Sequence, residues 1–376
     1  MTEIVITGTG LYSPDDVITN EELVASFNAY VSHYNERHSV AIEMGDMEPL
    51  QTSSADFIVK ASGIKRRHVL DKAGILDITR MYPKLPERTD DELSIQAEMA
   101  LMAAHEALAD AGRKAEEVDG VIIACSNMQR AYPAMAVELQ QALGAQGFAY
   151  DMNVACSSAT FGIQAAVNAI RSGSAKCMLV VSPEICSAHL NFRDRDSHFI
   201  FGDACTAVVL ENRSDAITSR PLMIMGERLI TQFSNNIRNN FGFLNRCVES
   251  DVKGANADKL FMQQGRKVFK DVCPMVSNLV VDHLQQLDIN AQQIRRLWLH
   301  QANLNMNQLI ARRILGREPA NDEAPVILDE YANTSSAGSI ICFHLHRQDL
   351  LEGDIGVICS FGAGYSAGSI IVKQLA

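Results

Sequence analysis

The 376-residue chain holds no uninterrupted apolar run approaching the ~18 residues that cross a bilayer, and that absence argues against an integral membrane protein. It also lacks an excess of positive charge. With a net charge of −12 it does not offer the basic surface that general nucleic-acid binding requires. Metal-type pairing of cysteines is missing too. The nine cysteines are scattered, and Cys125, Cys177, Cys205, Cys342 and Cys359 sit inside apolar runs, so reduced core thiols and no metal site are expected. Residues Met1 to Leu11 read as a short strand rather than a basic, apolar, cleavable leader, which sets the expectation of a cytoplasmic protein. A dinucleotide loop is excluded at Gly8-Thr9-Gly10, because the third glycine and the helix that should follow are replaced by Tyr12-Ser13-Pro14.

What is present is an apolar chain, 47% hydrophobic, with alternating strand-like and helix-like segments. The key stretch is Asn153-Val154-Ala155-Cys156-Ser157-Ser158, where an apolar run ends in a cysteine and helical spacing begins with Phe161, Ile163, Ala166, Val167 and Ile170. A thiol at or near a helix N-terminus is expected to have a lowered pKa and to act as a nucleophile; otherwise it is a small core hydrophobe. Upstream, residues 20–30 read as a short helix and 71–89 as a long surface loop. A strong helix from Leu93 to Ala111 is capped by Asp90 or Asp91 and stopped by Gly112. The basic clusters Lys65-Arg66-Arg67, Arg295-Arg296 and Arg312-Arg313 read either as solvated faces or as a patch for an acidic partner.

The chain repeats itself faintly. Val118-Asp119-Gly120-Val121-Ile122-Ile123-Ala124 is answered by Ile294-Arg295-Arg296-Leu297-Trp298-Leu299-His300, Ala155-Cys156-Ser157-Ser158 by Ala332-Asn333-Thr334-Ser335, and Phe201-Gly202-Asp203 by Phe361-Gly362-Ala363. Three matches in one order imply two similar α/β halves, 1–213 and 214–376, joined near 211–220. At equivalent places the halves differ, with Ala124 matched to His300 and Cys156 to Asn333. If the halves pack about a pseudo-twofold axis, Cys156, His300 and Asn333 converge in one pocket. Such a set suits acyl transfer through a thioester, with backbone N–H groups as oxyanion donors at Cys156 and in the turn Phe361-Gly362-Ala363-Gly364. A papain-like hydrolase has the same residue order, but its cysteine signature and its position near the N-terminus are absent.

Asn153-Val154-Ala155-Cys156, Asp194-Arg195, Phe201-Gly202-Asp203, His300-Gln301-Ala302-Asn303, Ala332-Asn333-Thr334-Ser335 and Ser360-Phe361-Gly362-Ala363-Gly364 together resemble the thiolase-fold condensing enzymes, specifically β-ketoacyl-acyl-carrier-protein synthase III, from Gly8 to Gly368. The resemblance implies a layered αβαβα fold. It also implies that Cys156 is acylated by acyl-CoA and that malonyl-acyl carrier protein then condenses with loss of CO2, in fatty-acid or related lipid or polyketide synthesis. By the same likeness His300 and Asn333 stabilise the enolate, and the N–H groups of Cys156 and Ala363 form the oxyanion hole. Phe57 and Arg195 lie at the CoA site. Phe201 belongs to the substrate- and carrier-binding set, Gln301, Ala302, Asn303 and Asn305 meet the pantetheine arm and the carrier, and Arg266 and Lys270 contact the carrier. Tyr132 is an aromatic gate given across a homodimer interface. No cofactor is implied.

The chain departs from the family pattern at Phe57, where tryptophan is usual, at Ala61 in place of arginine, at Asn305 in place of a basic residue, and at Ser157-Ser158 in place of small apolar residues. Insertions near 31–52 and 71–89 are expected beside the entrance. These departures imply a specialised relative taking longer or unusual acyl groups. Non-decarboxylative condensation, acyl transfer to an alcohol or amine, thioester hydrolysis and a non-catalytic partner role remain alternatives.

Overall fold

The computed structural model describes residues 3–247, 259–320 and 322–376. The first half opens with β1 (Ile4–Tyr12), β2 (Val17–Thr19), α1 (Asn20–Arg37), α2 (Ser39–Glu43), α3 (Ala55–Ser62), β3 (Arg66–His68) and α4 (Lys72–Leu76). It continues with α5 (Ile95–Ala111), β4 (Gly120–Ala124), α6 (Met135–Leu143), β5 (Phe148–Met152), α7 (Ser158–Arg171), β6 (Cys177–Ile185) and β7 (Asp203–Asn212). The second half holds β8 (Leu222–Ser234), β9 (Ile237–Arg238), β10 (Met262–Gln263), α8 (Gly265–Gln286), β11 (Ile294–Leu299), α9 (Leu304–Leu315), α10 (Leu328–Tyr331), α11 (Ala337–Leu345), β12 (Ile355–Gly362) and β13 (Gly364–Gln374).

Among the described residues nine strands run in the order β11-β12-β13-β8-β1-β7-β6-β4-β5. The duplication seen in the sequence is visible in this order. β4 runs parallel to β6 as β11 does to β12, and β6 pairs antiparallel with β7 as β12 does with β13. The two five- and four-strand groups meet where Val5 and Ile6 of β1 face Met223 and Leu222 of β8. The layering follows from strand alternation. Ile122 and Ala124 of β4 turn toward α7 and α11, whereas Val121 and Ile123 turn toward α5 and α6. On the second half α8 and α9 cover the far face through Val272, Val276, Ile310 and Ile314. The result is the expected αβαβα stack, with α7 and α11 as its shared middle layer.

The glycines that mimic a dinucleotide loop serve this packing: a Cβ on Gly8 would lie 2.1 Å from the carbonyl oxygen of Ala107 in α5, and one on Gly10 would lie 2.0 Å from that of Ala103. Three expectations are corrected. The cap of α5 is Ser94, whose side chain accepts from Ala97 N–H, rather than Asp90 or Asp91, although Gly112 does end the helix at φ 68°. The helix expected over 20–30 runs on to Arg37, because Thr19 and Glu22 form a reciprocal capping box and Leu23, Phe27 and Val31 continue its buried stripe. The stretch 71–89 is not all loop. Asp71 caps the short α4 through Gly74 N–H and ties back to Lys84 N–H.

The basic clusters do not form one patch. Lys65 and Arg66 pair with Asp329 and Glu330, Arg295 and Arg296 with Asp322 and Asp349, and Arg312 with Glu318. Arg67 is buried outright, donating to the carbonyls of Ile18 and Phe199 and to the Asn20 side chain. No helix among the described residues is long and apolar enough to cross a membrane.

Candidate active site

A cavity of about 340 Å3 opens at the carboxyl ends of β11 and β12, and Cys156, His300 and Asn333 all line it. Cys156 and Asn333 reach it by one local device and His300 by another. Cys156 sits two residues before α7, after Ala155 at φ 48°, and Asn333 follows Ala332 at φ 55°, so in both matched loops a non-glycine residue at positive φ precedes the functional side chain. A non-glycine residue held there is strained, and the strain turns the next side chain sharply out of the chain direction. Around Cys156 the Ser158 hydroxyl braces the step. It accepts from Val154 N–H at 2.8 Å and donates to Ala155 C=O at 2.7 Å, while the Ser157 hydroxyl donates to Ser366 C=O at 3.0 Å. The serine pair therefore supports the bend that apolar residues would leave unbraced.

His300 continues the β11–β12 ladder by one residue, its N–H donating to Cys359 C=O at 2.7 Å. Asn333 is stitched to the other half through Ile200 and Gly202 at 3.0 and 3.1 Å. Its Oδ1 accepts from Ser335 N–H at 2.9 Å, which leaves the amide hydrogens of Nδ2 for the cavity. Burial pushes the His300 imidazole down to about 4, so it is neutral at pH 7, and its Nδ1 has no hydrogen-bond partner in the protein. Neutral imidazole and amide are uncharged donors in a dry site, suited to an oxygen that gains negative charge during reaction.

The expected low pKa of Cys156 is not met. Burial, aided by the nearby Glu184 charge, pushes the thiol up to about 11, against the opposing influence of the Ser335 side chain and of the backbone at Ala363 and at Cys156 itself. The helix begins at Ser158, so its first turn lies past the sulfur, and desolvation outweighs the dipole. A Cβ on Gly362 would fall 2.6 Å from Cys156 Cβ and 3.0 Å from its Sγ. Only glycine lets this turn pass so close to the Cys156 side chain.

The other expected residues divide clearly. Phe57, Phe201, Ala302 and Asn303 line the cavity. Arg195 lies 4.3 Å above the Phe57 ring and donates through Nε to Thr52 C=O at 2.7 Å. Asn303 caps α9 and also donates to Ala61 C=O at 2.7 Å. Arg266 and Lys270 are exposed on α8, next to the lining residues Gly265 and Phe269, and Asn305 is exposed at the start of α9. Gln301 is corrected: it is fully buried, accepting from Ile327 N–H at 3.1 Å and donating to Leu299 C=O at 2.9 Å, so it holds the loop and touches no ligand space. Tyr132 is 85% exposed and stands outside its own chain's cavity.

Sequence reasoning missed Phe199 and Phe261, which line the cavity, and Glu184, which underlies it; a lone acid closing the apolar strand 177–185 was the available signal. No group of three or more His, Cys, Asp or Glu among the described residues is arranged to hold a metal ion.

Comparisons with known proteins agree on one family. Residues 150–223 match 3-oxoacyl-acyl-carrier-protein (ACP) synthase III, and residues 284–374 match the C-terminal part of the same family. The beta-ketodecanoyl-acyl-carrier-protein synthase of Pseudomonas aeruginosa is 62% identical over 349 residues, covering 93% of this chain and 99% of that protein. The beta-ketoacyl-acyl-carrier-protein synthase III of Ehrlichia canis is 28% identical over 99% of this chain and all of its own length. The crystal structure of 3-oxoacyl-acyl-carrier-protein synthase III from Aquifex aeolicus superposes with a TM-score of 0.75 at 23% identity, covering 98% of this chain and 99% of that one.

Proposed function

Since the chain belongs to the 3-oxoacyl-acyl-carrier-protein synthase III family of condensing acyltransferases, we propose that Cys156, His300 and Asn333 carry its reaction in two stages. In the first, Cys156 Sγ attacks the carbonyl of an acyl-CoA. The acyl–sulfur bond to CoA breaks, the N–H groups of Cys156 and Ala363 hold the oxyanion, and CoA leaves as the thiol with the proton that Cys156 gives up. In the second, the bond between the malonyl methylene and its carboxylate breaks in malonyl-acyl carrier protein. CO2 leaves, and the electron pair passes into an enolate whose oxygen accepts from His300 and Asn333. The enolate carbon attacks the Cys156 thioester, the 3-oxoacyl carrier is released, and the thiolate regains a proton. The observation that carries this reading is the convergence of one thiol and two uncharged donors on a single cavity from both halves of the duplicated fold.

The 62%-identical relative is named for a ten-carbon 3-oxo product, and malonyl contributes two of those carbons. An eight-carbon primer follows for this chain. In support, a second chamber of about 320 Å3 lies behind the wall formed by Phe201 and His189, whose rings stand 5.3 Å apart, and by Phe261, whose N–H donates to His189 C=O. The carrier docks on Arg266, Lys270 and Asn305, beside the mouth. A homodimer supplies Tyr132 to the partner's acyl chamber, which accounts for an aromatic ring left in solvent on one chain. The two halves divide as 1–213 and 214–376, no cofactor is needed, and the enzyme works in the cytoplasm.

The test is intact-protein mass spectrometry with acyl-CoAs of graded length, followed by malonyl-acyl carrier protein. An adduct that is strongest with octanoyl-CoA, absent in Cys156→Ala, and discharged as 3-oxodecanoyl carrier with CO2 is the expected result. An adduct that decays in water, or an undiminished adduct in Cys156→Ala, overturns it.

A further inference from the structure

Glu184 closes β6 beneath the active site with 1% of its surface exposed, and among the described residues no lysine, arginine or histidine pairs with it. An unpaired carboxylate is costly to bury, and an apolar residue of similar size would pack there without that cost. Its hydrogen bonds are specific. Oε1 accepts from Ser126 N–H at 3.0 Å, from Ser336 N–H at 3.1 Å and from the Ser336 hydroxyl, while Oε2 accepts from the Ser126 hydroxyl at 2.5 Å. Ser126 follows β4 in the first half, and Ser336 ends the Asn333 loop in the second. One carboxylate therefore spans the seam between the halves.

The two arms differ in what else supports them. On the first-half side, Ser126 C=O accepts from Asn153 Nδ2 at 2.7 Å, but the bend at Cys156 is independently braced by Ser157 and Ser158. On the second-half side, Ser336 is held by Glu184 and by a 3.2 Å bond from its hydroxyl to Ala124 C=O. Next to it, Ser335 is kept at φ 50°, its N–H fixes Asn333 Oδ1, and its carbonyl faces the His300 ring. The left-handed step at Ser335 thus orients both enolate donors, and Ser336 anchors that step.

We propose that Glu184 is a positioning residue for the decarboxylating stage, fixing Ser336 so that the Asn333–Ser335 turn presents His300 and Asn333 to the malonyl thioester. This rests on the two-stage reading above. A displacement of about 1 Å in such a donor pair costs on the order of a hundredfold in rate, whereas the bend at Cys156 is braced by Ser157 and Ser158, and losing the Glu184 charge, which disfavours the thiolate, works against any fall in acylation.

The experiment measures, in the full-length enzyme, the stoichiometry and rate of octanoyl adduct formation at Cys156 and, separately, CO2 release from malonyl-acyl carrier protein. Glu184→Ala is expected to acylate within about threefold of the parent while CO2 release falls by roughly ten- to a hundredfold. Glu184→Gln is expected to recover most of the loss, since its amide oxygen can take the Ser336 donors and the Ser126 hydroxyl can turn to accept from its NH2. Unchanged CO2 release in Glu184→Ala, an equal fall in both stages, or a Glu184→Gln as impaired as Glu184→Ala overturns the proposal. Should Glu184→Ala fail to fold, Ser336→Ala decides the matter by the same split, and an unaltered CO2 release in that variant overturns it. A parent enzyme that acylates without releasing CO2 would instead overturn the two-stage reading itself.

Discussion

The thiol of Cys156 is the residue on which the chemistry turns, and its surroundings pull in opposite directions. Removal from water, together with the Glu184 charge, pushes its pKa up to about 11, while Ser335 and two backbone N–H groups favour the thiolate. Desolvation wins, so at neutral pH the resting enzyme holds a protonated thiol. The same N–H groups then stand ready for the oxyanion of the acylating thioester, which is where their stabilisation accelerates reaction. Because the thiolate is the nucleophile, the rate of Cys156 alkylation by iodoacetamide should rise by about tenfold per pH unit from pH 6 to 9 without a plateau. Peptide mapping of the alkylated cysteine reads this directly, and a plateau near pH 7 would mean a thiolate stabilised far more than the structure indicates.

At the scale of elements, the segment 31–52 read in the sequence as an insertion becomes the end of α1, the short α2 and a return strand of chain that is clamped to α1. Two asparagines act as backbone mimics. Asn35 bonds both polar groups of the Leu50 backbone at 2.9 and 3.0 Å, and Asn28 bonds both of Ser53 at 2.9 and 3.1 Å. Between those clamps Thr52 C=O receives Arg195 Nε, and Arg195 is thereby laid on Phe57, over the aromatic face at the cavity mouth. If the CoA nucleotide stacks on Phe57, as the family resemblance implies, it must compete with that guanidinium for the ring. Releasing the clamp with Asn28→Ala and Asn35→Ala together should lower KM for octanoyl-CoA by about fivefold, the equivalent of one net hydrogen bond of about 1 kcal/mol. KM for octanoyl-pantetheine, which carries no nucleotide, should stay unchanged, and steady-state kinetics with the two donors separates these outcomes.

At the scale of the whole molecule, the duplicated halves bury titratable groups along their shared layers. Burial pushes His189, His198, His283 and His300 down to about 4, whereas it raises the Asp203 carboxyl to about 6. A histidine whose folded pKa is depressed contributes stability above its unfolded value near 6.5, and that contribution is lost as pH falls through 4. Asp203, with a raised folded pKa, works the other way: its contribution is full below about 4 and fades as pH rises through 6. With His344 and His346 also depressed and Asp151 also raised, the histidines outnumber the carboxyls. Thermal melts should therefore show Tm falling on acidification from pH 6.5 toward 4, and His283→Asn, which removes one of the four, should flatten that slope. A Tm that is level or rising over this range would contradict the burial of the histidines.

What the sequence determined by itself was whatever depends on short-range pattern. Strand alternation and helical spacing marked most of the elements, the repeat placed Cys156 opposite Asn333 and Ala124 opposite His300, and glycine next to a close-packed helix was distinguishable from a phosphate loop by what followed it. Helix starts were less legible, because Asp90, Asp91 and Ser94 are all competent caps and only packing selects Ser94. Tertiary structure alone decided the electrostatics and the second layer of the site. Proximity to a helix start suggested an acidic thiol, but a pKa depends on everything within a few ångströms in three dimensions, and the burial of Cys156 outweighs the dipole. Gln301 belongs to a motif that reads as ligand-facing, yet its side chain turns inward to hold Ile327. Glu184 shows locally only as a lone acid in an apolar strand; its serine donors come from residues 126 and 336, and only the closure of one half upon the other brings them to a single carboxylate.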